Sequence, residues 1–301
     1  MHRLPFEKPG EFRRGNLHTH STISDGHLTP EQACRYYHAA GYDFLALTDH
    51  FLRQYEFQIA DTRPLRTADF TTIIGAELHT GETELGNLWH ILAVGLPLDF
   101  AAYPSGETGP QVAQRAADAG AFVAVAHPNW YGLTGADCAS LAAAHAVEIF
   151  NGTAADHNDK ADSAYMLDML LARGLRRDAC ATDDAHFTPA RADTLRGWVQ
   201  VKSKSLHPDA LVEALRAGLY YSSTGPQIHD IRISPGPVMR VQCSAVDRIF
   251  VTGAGSNVKS ESGFGIIRAE IELKPFERDG FCRVTLRDSA GRRAWSNPIW
   301  L

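Results

Sequence analysis

Histidines and carboxylates near the start of the chain have the types and spacing of metal ligands. His18 and His20 are followed by Asp25, and a second pair, Asp49 and His50, comes directly after another apolar run. Residues i and i+2 of a strand point to the same side, so His18 and His20 can reach one ion from the end of a single strand. Neutral imidazole and carboxylate are ligands that divalent zinc, manganese and iron accept readily. The pattern therefore predicts a metal site.

Further histidines and acids stand at the ends of predicted strands. Those that directly follow a strand are Glu77, His127, Asp184 and His186. In a parallel βα barrel the carboxyl ends of the strands meet at one rim, which is where such barrels place their active sites. His90 is the exception because it precedes its strand. It can still meet Glu77 if the third and fourth strands form an antiparallel hairpin.

Strand-length apolar runs alternate with helical patterns along the first part of the chain. A capping box with proline at the first helical position, Thr29 to Gln32, opens the first helix, and Gly41 ends it. Further helices are predicted at 110–119, 161–173 and 208–217. Strands are predicted at 44–48, 73–76, 91–94, 122–126, 147–150, 179–182, 197–201 and 219–222. This βα series is long enough for a barrel.

The pattern changes after Gly225 and Pro226, where helical periodicity disappears. Short alternating stretches take over at 239–243, 248–251, 266–273 and 282–286, with turn sequences between them. We therefore predict two domains, a barrel over residues 1–226 and a β-sandwich-like extension over residues 227–301 that docks on the barrel.

Composition and charge are those of an ordinary globular protein. Of its 301 residues 44% are apolar and 21% are charged, and the formal net charge of -6 gives no long-range attraction to nucleic acid. No apolar run approaches the length that spans a membrane, and charged residues stand where a signal peptide would need an apolar segment. The five cysteines are scattered without any C-x-x-C spacing, which favours reduced thiols. We expect a cytoplasmic protein without a membrane partner.

The motifs resemble those of one family, the PHP (polymerase and histidinol phosphatase) superfamily of metal-dependent phosphoesterases. The resemblance covers residues 15–226 and rests on motifs in the family's order: His18-x-His20 with Ser24-Asp25-Gly26 behind it, Thr48-Asp49-His50, Gly75-Ala76-Glu77, His90-Ile91-Leu92, Ala126-His127-Pro128 and Asp184-Ala185-His186. It implies an α/β fold, a distorted seven-stranded (β/α) TIM-like barrel with divalent metals at its C-terminal rim. Here the barrel would be followed by a small C-terminal all-β appendage.

The resemblance also implies ligands for two or three divalent ions of manganese, iron or zinc. One ion would take His18, His20, Glu77 and Asp184, a second Asp25, His50 and His186, and a third Glu77, His90 and His127. Glu77 would then bridge two ions. Asp25 stands where some relatives carry a histidine, and a carboxylate there is a harder ligand. The segment between His90 and His127 has no room for the domain that some nucleotide-acting relatives insert.

Other side chains are expected to assist the reaction. The expected catalytic residues are Glu77, Asp184 and Asp49, and the expected substrate contacts are Arg191, Arg196 and His79. Asp49, next to the ligand His50, would orient an imidazole from behind. The two arginines would bind a phosphate bidentately. Trp130 could stack on a base or sugar, or it could pack in the core.

The expected function is hydrolysis of a small phosphate ester, such as a nucleotide, a nucleoside bisphosphate or a sugar phosphate. Divalent ions close together lower the pKa of a shared water and neutralise charge on the phosphoryl oxygens, so no protein nucleophile is needed. Two other classes stay open: a metal-dependent hydrolase of another bond, such as an amide, and a non-catalytic metal-bearing interaction module. Retention of the full ligand set speaks against the last.

Overall fold

The structure is a computed structural model, and it describes residues 4–301. Sixteen strands lie in this part of the chain. They are β1 (Glu11–Asn16), β2 (Phe44–Leu47), β3 (His50–Phe51), β4 (Thr71–Leu78), β5 (Ile91–Val94), β6 (Phe122–Val125), β7 (Ala146–Asn151), β8 (Asp178–Thr182), β9 (Trp198–Ser203), β10 (Tyr220–Ser223), β11 (Ile228–Ser234), β12 (Val238–Thr252), β13 (Val258–Glu272), β14 (Phe281–Arg287), β15 (Arg293–Ser296) and β16 (Ile299–Trp300).

The helices follow the predicted order, with additional short helices between them. They are α1 (Pro30–Ala39), α2 (Gly109–Asp118), α3 (Pro128–Tyr131), α4 (Gly135–Ser140), α5 (Gly152–His157), α6 (Ala164–Ala172) and α7 (Pro208–Arg216). The predicted capping box is confirmed, because Thr29 and Gln32 exchange backbone-to-side-chain hydrogen bonds at the start of α1. Helix α6 begins later than predicted because Ala161 O accepts a hydrogen bond from Asn151 N, which ties this segment to β7.

The central strands of the sheet run in the order β1-β2-β4-β5-β6-β7-β8. Neighbours are parallel except around β5, which is antiparallel to both β4 and β6. The antiparallel hairpin expected from the sequence is therefore confirmed, with Glu77 opposite Leu92. The hairpin returns the start of β5 to the end of β4, so His90 comes close to Glu77.

The two ends of this strand order approach each other. Thr19, after β1, forms an isolated parallel bridge with Ala185, after β8. Asp183 N donates a hydrogen bond to Asn16 Oδ1 at 3.0 Å. Over residues 4–301 these contacts do not extend into a ladder between β8 and β1. The fold is a mixed α/β fold dominated by one large sheet, which is compatible with the predicted TIM-like barrel but does not show a ring of seven strands.

The sheet continues into the C-terminal extension. Strands β9 and β10 are antiparallel, β10 pairs with β15, and the order then runs β15-β14-β12-β11. The two stretches predicted at 239–243 and 248–251 form the single strand β12, because bulges around Val246 bend it without ending it. Its partner β13 begins well before the predicted 266–273. The division into domains at residue 226 stays a prediction.

Buried apolar side chains join the extension to the rest of the chain. Phe281 and Trp295 of the extension belong to the same buried cluster as Val147 of β7 and Leu167 of α6. All five cysteines are buried free thiols. None of the helices in residues 4–301 combines the length and the apolar character that crossing a bilayer requires.

Candidate metal centre

The nine predicted metal ligands lie together where the central strands end. Their ligand atoms fall into overlapping groups, and within each group all atoms lie within 4.8 Å of one another. The groups contain His18, His20, Asp25, His50, Glu77, His90, His127, Asp184 and His186, together with His79. Side chains from six separate stretches of sequence therefore meet in one place, as expected for residues that lie at the ends of neighbouring strands.

Two of the ligands have uncommon backbone conformations. His127 has a φ angle of 24° and Asp184 one of 54°, in a region that residues other than glycine rarely adopt. His127 is held by its backbone N–H, which donates to Glu148 Oε2 at 2.6 Å. Backbone strain of this kind persists where surrounding contacts fix it, and it is concentrated at functional sites.

The most buried group consists of His18, His20 and Glu77, and Asp184 adjoins it through His18 in a neighbouring group. Asp184 Oδ1 lies 2.9 Å from His20 Nε2 and 3.3 Å from His18 Nε2. Glu77 Oε1 lies 3.6 Å from His18 Nε2, and Glu77 Oε2 lies 3.7 Å from His20 Nε2. Ligands at about 2.1 Å from one ion are roughly 3 to 3.5 Å apart. The separations from Asp184 to the two histidines match this range, and those from Glu77 lie slightly above it.

A second group lies closer to solvent. Asp25 Oδ1 is 3.4 Å from His50 Nε2 and 3.5 Å from His186 Nε2. His20 adjoins this group, with its Nδ1 3.9 Å from Asp25 Oδ1. The Asp25 side chain is 43% exposed, whereas the ring of His20 is fully buried. This group therefore forms the side of the cluster that solvent and a substrate can reach.

Glu77 connects these groups to a third one. Glu77 Oε1 lies 2.8 Å from His90 Nδ1 and 3.0 Å from His127 Nε2. Its other oxygen, Oε2, faces His20 and His50 instead. One carboxylate thus reaches all three groups, which is the placement that a bridging ligand needs. The bridging role itself stays a prediction.

Two buried polar atoms of the cluster indicate whether these residues can bind a metal ion. His18 Nε2 is buried and has no hydrogen-bond partner, and Glu77 Oε2 is buried and accepts no well-aligned hydrogen bond although His50 Nδ1 lies 2.7 Å away. A buried polar atom without a partner costs free energy, and a cation between such atoms would remove that cost. The donors are all imidazole nitrogens and carboxylate oxygens, a set that suits zinc, manganese and iron. The residues present therefore fit divalent metal ions.

The buried carboxylates of the cluster stay ionised. Burial alone would raise the pKa of Glu77, but the neighbouring imidazoles, His90 first among them, hold that pKa well below its usual range. The pKa of Asp184 is likewise held well below its usual range against burial, chiefly by the charge of His18. Both side chains are therefore anionic at neutral pH, as metal ligands must be.

The histidines divide into two kinds in the metal-free protein. Burial lowers the pKa of His20 to about 3 and that of His90 to about 4. Burial also acts to lower the pKa of His50, but the carboxylates of Glu77 and Asp25 overcome it and raise that pKa to about 10. His50 therefore carries a proton at neutral pH that a metal ion would have to displace.

Glu148 lies in the site and was not predicted from the sequence. It is fully buried behind His18, with Oε1 at 2.9 Å from His18 Nδ1, and the same oxygen accepts a hydrogen bond from Thr182 Oγ1. A carboxylate behind a ligating imidazole fixes its tautomer and raises its basicity. In the sequence, Glu148 could have been noticed as a single acid within the apolar run 146–149.

Within residues 4–301, Asp49 holds a loop and forms no hydrogen bond or ion pair with an imidazole, in contrast to the expected orienting contact. Its Oδ1 accepts hydrogen bonds from Ser21 N at 2.6 Å and from Ser24 Oγ at 2.7 Å, and its Oδ2 accepts one from Ser21 Oγ at 2.8 Å. Neighbouring residues of an extended segment point to opposite sides, so Asp49 faces away from the ring of His50. Asp49 thus positions the loop that carries Asp25.

Of the two predicted phosphate-binding arginines, the structure places Arg196 in a cavity apart from the cluster. Arg196 donates from Nη1 to Ala192 O at 3.0 Å, and it lines a cavity of about 420 Å³ with Trp198 and Arg292. Within residues 4–301, neither Arg191 nor Arg196 forms an ion pair with a ligand carboxylate. Arg196 follows the ligand motif closely in sequence, but the cavity that it lines contains none of the predicted ligands.

His79 is buried, whereas Trp130 is partly exposed at the rim. The side chain of His79 is only 1% exposed, and its Nε2 lies 3.3 Å from Glu77 Oε2. Burial lowers the pKa of His79. The expectation of a substrate contact therefore loses its geometric basis for this residue. Trp130 is half-buried at the rim, with its ring centre 5.1 Å from that of His127.

Comparison with known proteins supports the fold. No protein-family model matches the chain, and no curated protein matches it. Among solved structures, a two-domain protein from Bacteroides vulgatus containing a predicted PHP-like metal-dependent phosphoesterase is similar, with a TM-score of 0.51, 14% identity and coverage of 93% of this chain and 92% of that chain. An amidohydrolase from Chromobacterium violaceum, with bound sulfate and no metal, matches at a TM-score of 0.44 and 16% identity, covering 57% of this chain and 87% of that chain.

The likeness to the Bacteroides protein extends over nearly the whole chain, beyond the first 226 residues and into the C-terminal extension. At this level of identity it shows the fold alone. The site therefore has to be argued from its own residues.

Proposed function

We propose that the protein is a metal-dependent hydrolase of the PHP superfamily that cleaves small phosphate esters. The observation that carries the proposal is the position of Glu77, whose two oxygens face His20, His50, His90 and His127 within one cluster. Such a carboxylate at the centre of imidazoles is typical of a site that holds neighbouring dications. We infer two or three ions per chain.

Manganese, iron or zinc bound here would activate a water at neutral pH and stabilise charge developing on the phosphoryl oxygens. The site has a buried side and an open side. His18 and His20 are fully buried and exclude solvent behind the site. Asp25 and His186 are partly exposed and leave the opposite side open to a substrate. Glu77, anionic and buried, offsets the repulsion between neighbouring cations.

The size of the open side favours a small substrate. Between β5 and β6 the chain contributes only α2 and its loops, and no additional domain covers the rim there. The formal net charge of -6 disfavours long polyanions. A nucleotide, a nucleoside bisphosphate or a sugar phosphate would meet these conditions. The extension, residues 227–301, would stabilise the fold and not supply ligands.

One observation favours a second candidate, hydrolysis of an amide or another uncharged bond. Arg196 is bonded to the backbone of Ala192 and lines a cavity shared with Arg292, not with the ligands. A site that recognises phosphate commonly uses a guanidinium in addition to its metals. An uncharged substrate has no such requirement, and an activated hydroxide also attacks carbonyls.

An assay with defined metals decides between these functions. The purified protein would be freed of metal, reloaded with manganese, iron or zinc, and offered phosphomonoesters, phosphodiesters and amides at equal concentration. We expect turnover of small phosphate esters that disappears on metal removal. Turnover of amides alone would favour the second candidate, and no turnover by a fully loaded protein would favour a non-catalytic role.

A further inference from the structure

His79 connects the backbone of Trp89 to a predicted metal ligand. His79 Nδ1 lies 3.0 Å from Trp89 O, and His79 Nε2 lies 2.8 Å from His50 Nδ1. A backbone carbonyl can only accept, so His79 Nδ1 carries the proton of the first hydrogen bond. In a neutral imidazole the other nitrogen is then an acceptor. His79 Nε2 therefore receives a hydrogen bond from His50 Nδ1.

The same reasoning assigns the tautomer of His50. When its Nδ1–H is donated to His79, a neutral His50 has its lone pair on Nε2. His50 Nε2 faces Asp25 Oδ1 at 3.4 Å, and Asp25 Oδ1 in turn lies 3.5 Å from His186 Nε2. Nε2 is thus the atom of His50 that can bind an ion together with these two residues.

Burial keeps this chain of hydrogen bonds in place. The side chain of His79 is 1% exposed and Trp89 is 2% exposed. The Trp89 ring packs closely on Gly109, and a Cβ atom added to Gly109 would collide with the ring. This packing helps to fix the position of the Trp89 carbonyl. Solvent therefore has little access to this hydrogen bond, and the other acceptor near His50 Nδ1 is the predicted metal ligand Glu77, whose Oε2 lies 2.7 Å away.

We propose that His79 is a positioning residue that holds His50 in the tautomer with a free Nε2 and thereby sets the affinity of the ion bound by Asp25, His50 and His186. The inference rests on the metal centre of the proposed function, but it concerns metal binding alone and does not depend on the substrate.

Two of the ion sites differ in the group that lies behind a ligating histidine. His18 Nδ1 faces the carboxylate of Glu148, whereas His50 Nδ1 lies between the neutral ring of His79 at 2.8 Å and Glu77 Oε2 at 2.7 Å. If Glu77 Oε2 binds an ion, the neutral ring of His79 is the acceptor that remains for His50 Nδ1. A charged acceptor strengthens a hydrogen bond more than a neutral one and makes the ligating imidazole more basic. The ion at Asp25 and His50 is therefore the weaker-bound and more readily exchanged of the two.

The test measures metal affinity without any substrate. Metal-free wild type, His79→Leu and His79→Gln would each be titrated with Zn²⁺ and with Mn²⁺ in competition with a chromophoric chelator. His38→Leu is the matched control, because His38 is a surface histidine bonded to Asp69, outside the cluster. Thermal unfolding of the metal-free variants would show whether each one folds.

We expect His79→Leu to weaken the most weakly bound ion by about 10- to 100-fold, the usual effect of losing a group that orients a ligand. In His79→Gln the amide oxygen can accept from His50 Nδ1, so the affinity should return close to that of wild type, and His38→Leu should match wild type.

Unchanged affinities in a folded His79→Leu would overturn the proposal. An equal loss in His79→Gln and His79→Leu would also overturn it, since a merely structural role would not distinguish them. If His79→Leu does not fold, the Gln variant decides alone: near-wild-type affinity supports the proposal and a large loss refutes it. A wild-type protein that binds no ion would overturn this inference and the metal centre together.

Discussion

Glu148 Oε1 lies 2.9 Å from Nδ1 of His18, and both side chains are fully buried. The other oxygen, Oε2, accepts hydrogen bonds from His127 N at 2.6 Å and from Asn151 Nδ2 at 3.0 Å. Asn151 Nδ2 also donates to Asp184 Oδ2 at 3.1 Å. A single acid outside the metal-ligand set therefore contacts or supports three ligands from two of the proposed ion sites.

The first prediction concerns this acid. Glu148→Gln keeps the side-chain volume, but its amide group cannot accept all the hydrogen bonds that the two carboxylate oxygens accept. We expect metal affinity to fall by about 10- to 100-fold, as measured by chelator competition. Glu213→Gln on the exposed face of α7 is the matched control and should bind metal like wild type. Equal affinities in both variants would refute the role of Glu148.

The second prediction concerns the proposed bridge. Glu77→Gln removes the charge that neighbouring ions would share, so at least one site should empty and turnover should fall by a factor on the order of a hundred or more. Glu77 lies near a strand end, so the circular dichroism spectrum should not change. Elemental analysis and turnover measurements check both effects. Full metal content with wild-type turnover would show that Glu77 does not bridge.

The convergence of the nine predicted ligands could be predicted from the sequence because it depends on local pattern. His18, Asp184 and most of the other ligands follow apolar runs whose strand character is visible in a few residues. His90 needed one further step, the antiparallel hairpin of β4 and β5, and that hairpin is present. Convergence at one rim then follows from the general geometry of such folds.

The supporting residues could not be predicted in the same way. Glu148 and His18 are 130 positions apart, and no local pattern shows that one lies behind the other. The direction of Asp49 depends on the backbone of one extended residue, and the direction of Arg196 depends on a turn that the sequence does not specify. Proximity in sequence to the ligands therefore does not determine where the side chains of Asp49 and Arg196 lie, and it gives no indication of Glu148.

The third prediction follows from the corrected role of Asp49. Asp49→Ala removes the acceptor for Ser21 and Ser24, so the loop that presents Asp25 should lose its fixed position. We expect the ion at Asp25 to be lost, while the ion held by the most buried group remains. Elemental analysis would show about one ion fewer per chain. Ser24→Ala, which removes only part of this contact, should have a smaller effect, and a larger effect would contradict the assignment.

The fourth prediction concerns pH. The pKa of His50 is raised to about 10 in the metal-free protein, so the residue is protonated at neutral pH and must lose that proton to bind an ion. Metal affinity should therefore rise as the pH rises from 7 towards 10, and binding at pH 7 should release protons. His20, with a pKa lowered to about 3, is already neutral and contributes none.

Calorimetric titration in buffers of different ionisation enthalpy measures this proton release directly. The observed binding enthalpy should vary linearly with the buffer's ionisation enthalpy. A slope of zero at pH 7 would show that His50 is not protonated in the metal-free protein. His50→Ala should reduce the slope if His50 is the source of the proton.

The fold contains one connection that the sequence did not predict, the pairing of β10 with β15. Alternating apolar residues identified strands in the extension, but which strand would continue the main sheet depends on tertiary packing. Asn297, just after β15, shows how close this contact is. Its Oδ1 accepts a hydrogen bond from Ala179 N at 3.0 Å, and its Nδ2 donates to Gly218 O and to Tyr220 O at 3.1 Å each.

The fifth prediction is that Asn297 fastens the extension to the strands that carry the site. Asn297→Ala leaves one backbone donor and two backbone acceptors without their buried partner, and each such loss costs roughly 1 kcal/mol or more. The free energy of unfolding should therefore fall by about 2 to 4 kcal/mol, as measured by denaturant titration. Asn257→Ala, in a more exposed turn of the extension with bonds to Pro275 and Asp279, should cost less. Because Asn297 lies away from the ligands, the folded Asn297→Ala protein should keep its full metal content. A variant as stable as wild type would show that the hydrogen bonds of Asn297 do not hold the extension in place.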